Sequence, residues 1–590
     1  MLFCCPDRIV RGVLILHVKA FPRLFQSTQC LEASFGPGVG CVARRLGTLL
    51  FVVLFCLSPL SAQLTEEKPE QQAAQIQDYI AHTWDTLTRS MLDCHSLVDP
   101  KVKAAPVLYL PQDVPMPAQV AALHTQCNVD VERLPKRITH IGEIDPRSIR
   151  TPGLLYLPNP YVVPGGRFNE MYGWDSYFIL LGLLHDHRVD LARGMVENFF
   201  YEIEHYGSIL NANRTYYLTR SQPPFLSSMV RDVYEADRAG KQRDAWLARA
   251  YSYAVRDHDL WLEDFHRAGD TGLARYDDLG EGPVPEQEDD STYYPDVIRW
   301  LLAHPEIHTD FLVEAPDHPD AAEKAKLAAI SCDVQASVVC ARAHVEGHWL
   351  SKDFYKGDRA MRESGYDPSF RFGPFSGATH HYAPVCLNSL LYKYERDLAW
   401  MAQKLGNPVE AKRWNAQAER RRTAMNKYLW NAKEGMYFDY DFETHQQSTY
   451  RYLTTFYPLW AGVADATQQQ GVEKALHWFE QSGGLAMSTY DSGTQWDLPY
   501  GWAPPTWIAI AGLEKVGDIS DARRISEKFS RTILENFARD HTLREKYDVV
   551  HGSSEMSIAT GYKGNQVGFG WTNAVYLKMQ QLLASTGEKQ

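Results

Sequence analysis

About a dozen tracts with the apolar spacing of amphipathic helices follow one another between residues 175 and 583. Strand-like alternation is rare between them. Long loops rich in glycine, proline and aromatic residues separate the tracts at intervals. The pattern predicts a mainly α protein, and the lack of a fixed sequence period argues against a regular solenoid.

The amino-terminal segment has the order of a secretory signal. Arg44 and Arg45 precede an apolar run from residue 46 to residue 60, and the small residues Ser61 and Ala62 follow it. The run is short for a membrane span, although an uncleaved anchor is the alternative. We expect residues 1–62 to be a leader and signal peptide cleaved near Ala62. The mature protein would then be secreted or periplasmic, without stable membrane insertion.

Charge and cysteine usage exclude some classes of protein. The formal net charge of −13 argues against a nucleic-acid partner, which needs a basic surface. Five cysteines follow residue 62, and they allow either one bridge, such as Cys94 to Cys127, or buried free thiols. His380 and His381 are adjacent, so on a regular element their side chains would point apart. We interpret these two histidines as structural or rim residues and predict no metal site.

Residues 163–178 read Val-Pro-Gly-Gly-Arg-Phe-Asn-Glu-Met-Tyr-Gly-Trp-Asp-Ser-Tyr-Phe. Arg167 offers a planar fork of donors that suits vicinal hydroxyls. Trp174 offers a flat apolar face for a sugar ring, and Asp175 adds acceptors. The alternative is a structural turn that leads into a buried helix.

A second dense group of polar and aromatic side chains lies at residues 211–224, where the Asn, Arg and Gln side chains present the donors and acceptors that hydroxyl recognition needs. The alternative is an ordinary polar loop before the next helix. Glu286 follows in an acidic stretch that would otherwise be solvated surface.

Two carboxylates are candidates for acid–base chemistry. Asp367 lies between Tyr366 and Phe370, whose low polarity would favour a protonated carboxyl, unless Arg371 paired with it directly. The alternative for Asp367 is a helix N-cap. Glu545 lies in a charged stretch, and the alternative there is a run of charges at a helix end.

Residues 163–178 and 495–504 (Gln-Trp-Asp-Leu-Pro-Tyr-Gly-Trp-Ala-Pro) resemble the two signatures of trehalase, glycoside hydrolase family 37. The likeness extends from about residue 139 to residue 583. It implies an (α/α)6 barrel with long active-site loops, formed by a catalytic domain at 139–590, with an extension at 63–138 packed on it. It also implies hydrolysis of the disaccharide α,α-trehalose to two glucose molecules with inversion, by a monomer that needs no cofactor or metal.

The resemblance assigns roles to particular residues of this chain. Asp367 corresponds to the general acid and Glu545 to the general base. The residues that would bind the substrate are Arg167, Trp174, Asp175, Asn211, Arg220, Ser221, Gln222, Glu286 and Gly365.

The chain also departs from the family pattern. Val284 replaces an arginine, and the lid at residues 552–566 has a broken glycine run in which Gly561-Tyr562-Lys563 lacks the expected glutamate. Glu555 is a candidate replacement from another point of the loop. Two further hypotheses therefore stand beside the first: an inverting hydrolase of a different α-glucoside, and a non-catalytic sugar-binding homologue.

Overall fold

The computed structural model describes residues 69–98, 106–144, 148–238, 242–288, 292–307, 309–315, 318–332, 334–560 and 564–585. The predicted leader and signal peptide at 1–62 lies outside this part of the chain. The α-helices are α1 Pro69–Leu87, α2 Cys94–Leu97, α3 Ala118–Cys127, α4 Gly173–His185, α5 Val189–His205, α6 Leu226–Ala236, α7 Arg243–Leu260, α8 Tyr293–Ala303, α9 Ala321–Ala328, α10 Ser337–Cys340, α11 Lys352–Ser364, α12 Val385–Lys404, α13 Pro408–Tyr428, α14 Tyr457–Ala461, α15 Ala466–Ala475, α16 Ala503–Val516, α17 Ile519–Asp540 and α18 Gly570–Ala584.

Short elements connect these helices. The 3-10 turns span Thr215–Tyr217, Asp264–His266, Gly269–Thr271, Pro285–Glu288, Val334–Ala336, Pro374–Ser376, Thr379–His381, Leu453–Phe456 and Leu476–Trp478. The strands are β1 Thr88–Arg89, β2 Val107–Leu110, β3 Asp130–Arg133, β4 Leu154–Leu155, β5 Tyr161–Val162, β6 Leu312–Glu314, β7 His344–Val345, β8 His348–Leu350, β9 Tyr382–Ala383, β10 Trp430–Asn431, β11 Met436–Tyr437, β12 Tyr440–Asp441, β13 Gln446–Gln447, β14 Glu480–Gln481, β15 Gly484–Leu485, β16 Tyr500–Trp502 and β17 Lys546–Asp548.

Most strands pair in small antiparallel sheets. The two-stranded sheets are β1–β5, β10–β11, β14–β15 and β16–β17, and the three-stranded ones are β13–β12–β9 and β6–β8–β7. In the remaining sheet, β3–β2–β4, both pairings are parallel. None of these sheets forms a continuous layer, so helices carry the architecture.

Six helices form a closed inner ring in the order α4, α6, α12, α14, α16 and α18. Each packs on the next, and α18 packs back on α4. An inner helix is covered on nearly every side, which requires apolar residues all round. Helix α4 meets this requirement, because residues 173–180 and 182–183 are all buried.

The helices that alternate with them in sequence form the outer layer, and each buries one face. In α17 the buried face recurs at helical spacing through Ile525, Phe529, Ile533 and Phe537. The predicted mainly α class and the (α/α)6 barrel are therefore confirmed.

Helix α1 packs on α17 and α18 and belongs to the outer layer. Its Trp84 is fully buried, and the indole Nε1 donates to Asp186 Oδ2 at 2.7 Å. A Cβ on Gly182 would come within 2.7 Å of the Trp84 ring, so the helix fits closely. Residues 69–87 of the predicted extension thus pack on the barrel. The domain boundary at residues 138 and 139 stays a prediction.

The segment between α7 and α12 carries a second, smaller apolar cluster that includes Val284, Tyr294 and Phe354. The sequence pattern predicts one helix over residues 321–350, and this prediction is wrong. Among the described residues of this stretch, only α9 and α10 are α-helical, and β7 and β8 form a hairpin. Its turn residues, Glu346 and Gly347, both have positive φ, as a tight two-residue hairpin turn requires.

Two disulfides lie in the described chain. Cys94 bonds to Cys127, which was one of the two alternatives from the sequence, and Cys332 bonds to Cys340. Cys386 is a buried free thiol. None of the described helices is both long and apolar enough to cross a membrane.

Candidate active site

A cavity of about 250 Å³ opens where the inner helices α4, α16 and α18 begin. Every predicted site residue except Ser221 lines it. The lining residues are Pro164, Arg167, Phe168, Glu170, Tyr172, Trp174, Asp175, Asn211, Tyr216, Tyr217, Arg220, Gln222, Glu286, Gln287, Arg362, Gly365, Asp367, Gln495, Trp496, Trp502, Glu545, Phe569 and Trp571. Carboxylates, donors and aromatic faces therefore meet in one space.

Trp174 is the centre of the aromatic wall. Its ring lies 5.9 Å from that of Trp496 and 5.8 Å from that of Trp571. Its backbone N–H donates to Gln222 Oε1 at 2.8 Å, which joins the two polar loops predicted from the sequence. The wall offers flat apolar surface of the kind that packs on sugar rings.

Ser221 lies behind the cavity wall. Its hydroxyl donates to the backbone oxygen of Ile209 at 2.7 Å, and its N–H donates to Glu363 Oε1 at 3.2 Å. The side chain holds the loop in place, while its neighbours Arg220 and Gln222 face the cavity.

Arg220 is held by two carboxylates. It donates through Nη2 to Glu286 Oε1, and its Nη1 lies 3.7 Å from Asp278 Oδ2. A buried guanidinium needs this pairing, because an uncompensated charge is costly in a desolvated site. The pair places one fixed cation and the Glu286 carboxylate on the same side of the cavity.

Asp367 follows helix α11, which ends at Gly365 in a left-handed conformation (φ 78°). Burial raises the pKa of Asp367 to about 6, against the opposing charges of Arg362 and Arg220. The side chain remains 37% exposed to the cavity. A carboxyl of this kind can hold a proton near neutral pH and still reach a ligand.

The arginine near Asp367 is not the one suggested by the sequence. Arg371 pairs with Asp439 through two bonds of 2.6 and 2.7 Å. Arg362, in the last turn of α11, lies 3.5 Å from Asp367 Oδ2 and lines the cavity. The reversal of the chain at Gly365 brings these two residues together, and spacing alone does not show it.

Glu545 is the second candidate for acid–base chemistry. Strand β17 begins at the next residue and pairs with β16, so residues 495–502 and Glu545 share one wall. Lys546 Nζ lies 2.7 Å from Glu545 Oε2, and the Lys546 side chain is fully buried. Lys546 Nζ donates to the Glu545 carboxylate and holds it in place on this wall.

Asp175 is another of the carboxylates that line the cavity. Burial raises its pKa well above the usual range, and the charges of Glu545 and Asp367 raise it further. The two candidates for acid–base chemistry therefore lie near this residue. A neutral Asp175 carboxyl can donate as well as accept, which suits a sugar hydroxyl.

The departures from the family pattern have structural counterparts. Val284 is fully buried in the smaller apolar cluster, and its N–H donates to the Tyr294 hydroxyl. Glu555 is exposed and is not among the residues that line the cavity. Tyr562 and its two neighbours lie outside the described residues.

Sequence reasoning missed several cavity residues, among them Arg362, Tyr216, Tyr217 and Gln287. Tyr216 and Tyr217 lie within the polar group at residues 211–224, so their position near Asn211 in the sequence could have identified them as cavity residues. Gln287 directly follows Glu286 and gave no separate signal.

A family model described as Trehalase matches residues 60–584 of this chain. The chain belongs to the trehalase family. It is accordingly a glycoside hydrolase that converts trehalose to glucose.

Two relatives illustrate the similarity. A probable trehalase of Eremothecium gossypii is 35% identical over 559 residues, which covers 84% of this chain and 70% of the relative. A cytosolic neutral trehalase of Neurospora crassa is 34% identical over 591 residues, which covers 88% and 74%.

Among solved structures, the neutral trehalase Nth1 of Saccharomyces cerevisiae superposes with a TM-score of 0.70 at 32% identity. The match covers 87% of this chain and 94% of that one. The barrel and its active-site loops are thus those of the trehalase family.

The comparisons overturn one prediction. Relatives from Neurospora crassa, Saccharomyces cerevisiae and Emericella nidulans are named cytosolic neutral trehalases. These names contradict the predicted signal peptide and the predicted secreted or periplasmic location, which were wrong. The error arose because a basic pair before a short apolar run has the composition of a signal whatever its actual use.

Proposed function

We propose that Asp367 and Glu545 carry out the hydrolysis of α,α-trehalose to two glucose molecules by an inverting mechanism. The observation that carries the proposal is the contrast between the two carboxyls in one cavity. Burial raises the pKa of Asp367 to about 6, whereas Glu545 is paired with Lys546. Such a contrast separates an acid from a base.

Asp367 would protonate the glycosidic oxygen as the bond to the first ring breaks. Its backbone oxygen accepts a hydrogen bond from Gln495 Nε2, and the next loop is fixed by the Phe370 N–H, which donates to Asp497 Oδ2 at 2.8 Å. These contacts tie the acid to the second signature motif. They support a fixed direction of approach to the leaving oxygen.

Glu545 would remove a proton from a water molecule on the opposite face of the ring. Its backbone is fixed on both sides, because the Trp571 Nε1–H donates to Glu545 O at 3.0 Å and its own N–H donates to Gln566 O at 3.0 Å. In an inverting glycosidase the second carboxylate acts on water in this way and forms no covalent intermediate.

Eight cavity residues would bind the two glucose rings: Arg167, Trp174, Asp175, Asn211, Arg220, Gln222, Glu286 and Gly365. Ser221 would contribute to binding indirectly, by holding in place the loop that carries Arg220 and Gln222. The substrate is a neutral disaccharide, and two carboxylates suffice for the reaction without a cofactor. We also propose that the enzyme acts as a monomer, because all the residues assigned to the reaction come from one chain.

The test is glucose release from trehalose by the full chain, by Asp367→Asn and by Glu545→Gln. Each substitution keeps the shape of the side chain but removes the proton transfer, so each should lose at least about 100-fold in kcat. A matched control is Glu527→Gln, which changes an exposed carboxylate on the outer helix α17, away from the cavity, and should retain activity. Near-normal turnover by either cavity variant, with the fold intact by circular dichroism, would exclude that residue from the proposed role.

A further inference from the structure

A second group of reactive side chains lies at the start of α11, at the opposite end of that helix from Asp367. It consists of Asp353, His380 and His381. Helix α11 has 13 residues and is therefore about 20 Å long. The group is separate from the catalytic cavity, and none of its members lines that space.

The ligand atoms of this group converge on one point. His380 Nε2 lies 3.0 Å from Asp353 Oδ1, and His381 Nε2 lies 3.6 Å from the same oxygen. All three ligand atoms lie within 4.8 Å of one another. In a tetrahedral zinc site with bonds of about 2.0–2.1 Å, ligand atoms stand about 3.3–3.4 Å apart. The two measured distances bracket that value.

Adjacent histidines within a long helix or strand would point apart, but these two lie at the end of a three-residue 3-10 turn. The 3-10 turn ends at His381, and the chain is extended from Tyr382 onward into β9. The two rings consequently lie with their centroids 4.0 Å apart. The two side chains therefore lie side by side, and their interpretation as structural or rim residues stays a prediction.

The backbone of both histidines is fixed. Arg275 Nη1 donates to the His380 carbonyl oxygen at 2.9 Å, and the Phe442 N–H donates to the His381 carbonyl oxygen at 3.0 Å. Strand β9 also pairs with β12. A donor set held in this way loses little freedom when it takes up an ion.

Asp353 pairs with the two histidines themselves and with no lysine or arginine of the described residues. The nearby cations Lys356 and Arg275 are bound to Asp277, at 2.7 and 2.9 Å. The Asp353 side chain is 47% exposed and that of His381 is 28% exposed, so an ion can enter from solvent.

We propose that Asp353, His380 and His381 bind a divalent transition-metal ion of the zinc class, with water completing a tetrahedral shell. Two imidazoles and one carboxylate suit Zn²⁺, Co²⁺ or Ni²⁺, and they do not suit Mg²⁺ or Ca²⁺, which take oxygen ligands. The ion would stabilise the start of α11 and take no part in hydrolysis.

One feature of His380 limits the affinity. Its Nδ1 is buried and has no hydrogen-bond partner among the described residues. When Nε2 binds a metal, the ring proton must reside on Nδ1, where a strong site would supply an acceptor. A missing partner of this kind costs about 10–100-fold, so we expect micromolar rather than nanomolar binding.

The test is calorimetric titration of tag-free full chain with Zn²⁺, together with the visible spectrum after Co²⁺ addition. We expect one equivalent of Zn²⁺ and the intense bands of four-coordinate Co²⁺. His381→Ala and Asp353→Asn should each weaken binding by about 100-fold or more, since each removes a ligand. The matched control is His124→Ala, which removes an exposed histidine beside Asp130 and should leave binding unchanged.

Two results would overturn the site. One is no stoichiometric binding of Zn²⁺ and only the spectrum of hydrated Co²⁺ in the unaltered protein. The other is equal binding by wild type, His381→Ala and Asp353→Asn. Melting curves of each variant without metal show whether the fold is intact, and the Co²⁺ spectrum of the unaltered chain decides the matter if a variant fails to fold. Glucose release should survive EDTA, which separates this proposal from the catalytic one.

Discussion

Asp367 and Glu545 share a cavity but have different electrostatic neighbours. Arg362 is 3.5 Å from Asp367, whereas Lys546 is 2.7 Å from Glu545. The contact between Lys546 and Glu545 is both shorter and more buried than the contact between Arg362 and Asp367. At Asp367, burial outweighs the charge of Arg362 and raises the pKa, whereas Lys546 holds the Glu545 carboxylate by a direct hydrogen bond.

The raised pKa of Asp367 predicts where activity falls on the basic side of the pH profile. A general acid must be protonated, so kcat/KM should fall as pH rises through about 6. Bound sugar would displace water from this carboxyl and raise its pKa further, so the fall in kcat should come at higher pH. Initial rates across the pH range test this. A fall in kcat at lower pH than the fall in kcat/KM would contradict the assignment.

Lys546 should matter through its charge. Lys546→Met keeps much of the buried volume but removes the ammonium group that donates to Glu545, and we expect at least about a tenfold loss of kcat. Lys578→Met is the control, because Lys578 also lies over a tryptophan ring but has no catalytic neighbour. Equal losses in the two variants would point to packing and not to charge.

The end of helix α11 positions the acid. Gly365 adopts a left-handed conformation there, and a Cβ would come within 2.8 Å of the Trp174 ring. Secondary structure elements could be predicted only in part from the sequence. The apolar spacing predicts α4 and α17 well, whereas the hairpin at Glu346 and Gly347 depends on backbone angles that a helical pattern conceals.

Gly365→Ala should therefore displace Trp174 or the acid loop. We expect a large loss of kcat/KM together with a stability cost above the roughly 1–2 kcal/mol for placing a non-glycine residue in this conformation. Gly517→Ala is the control, because Gly517 ends α16 in the same conformation with open space around it. Urea unfolding and glucose release measure both effects. Identical results for the two variants would show that contact with Trp174 is unimportant.

The complete barrel depends on contacts between the two ends of the chain. Helix α1 covers α17 and α18 through residues that include Trp84. Apolar positions recur at helical spacing from residue 76 to residue 97, which predicts a helix in this region but does not place it in the outer layer. Long-range packing of this kind has no local signature, because either partner alone reads as an ordinary amphipathic helix.

Trp84→Ala should destabilise the whole protein. It removes a fully buried indole and leaves the Asp186 carboxylate without that donor, so we expect a loss of about 3–5 kcal/mol. Trp478→Ala, at a tryptophan that is 41% exposed, should cost less than about 1 kcal/mol. Chemical unfolding of both variants gives the comparison. A small effect of Trp84→Ala would mean that α1 is not needed to complete the barrel.

The candidate site was more predictable than its surroundings. Asp175 and the tryptophans of the aromatic wall lie in dense motifs that are visible in sequence, whereas Asp367 and Glu545 lie outside the two signatures and take their roles from the family resemblance. The roles of Arg362 and Ser221 are not visible, because one depends on the chain reversal at Gly365 and the other on which side of a loop faces the cavity. The convergence of His380 and His381 likewise depends on where a short turn ends.

The most direct test of the proposed mechanism is the anomeric form of the first glucose released from α,α-trehalose, followed by proton NMR before mutarotation. If Glu545 activates water on the opposite face from Asp367, one product is β-glucose and the other is α-glucose, in equal amounts. Release of α-glucose alone would mean retention through a covalent intermediate, and it would contradict the roles assigned to Asp367 and Glu545.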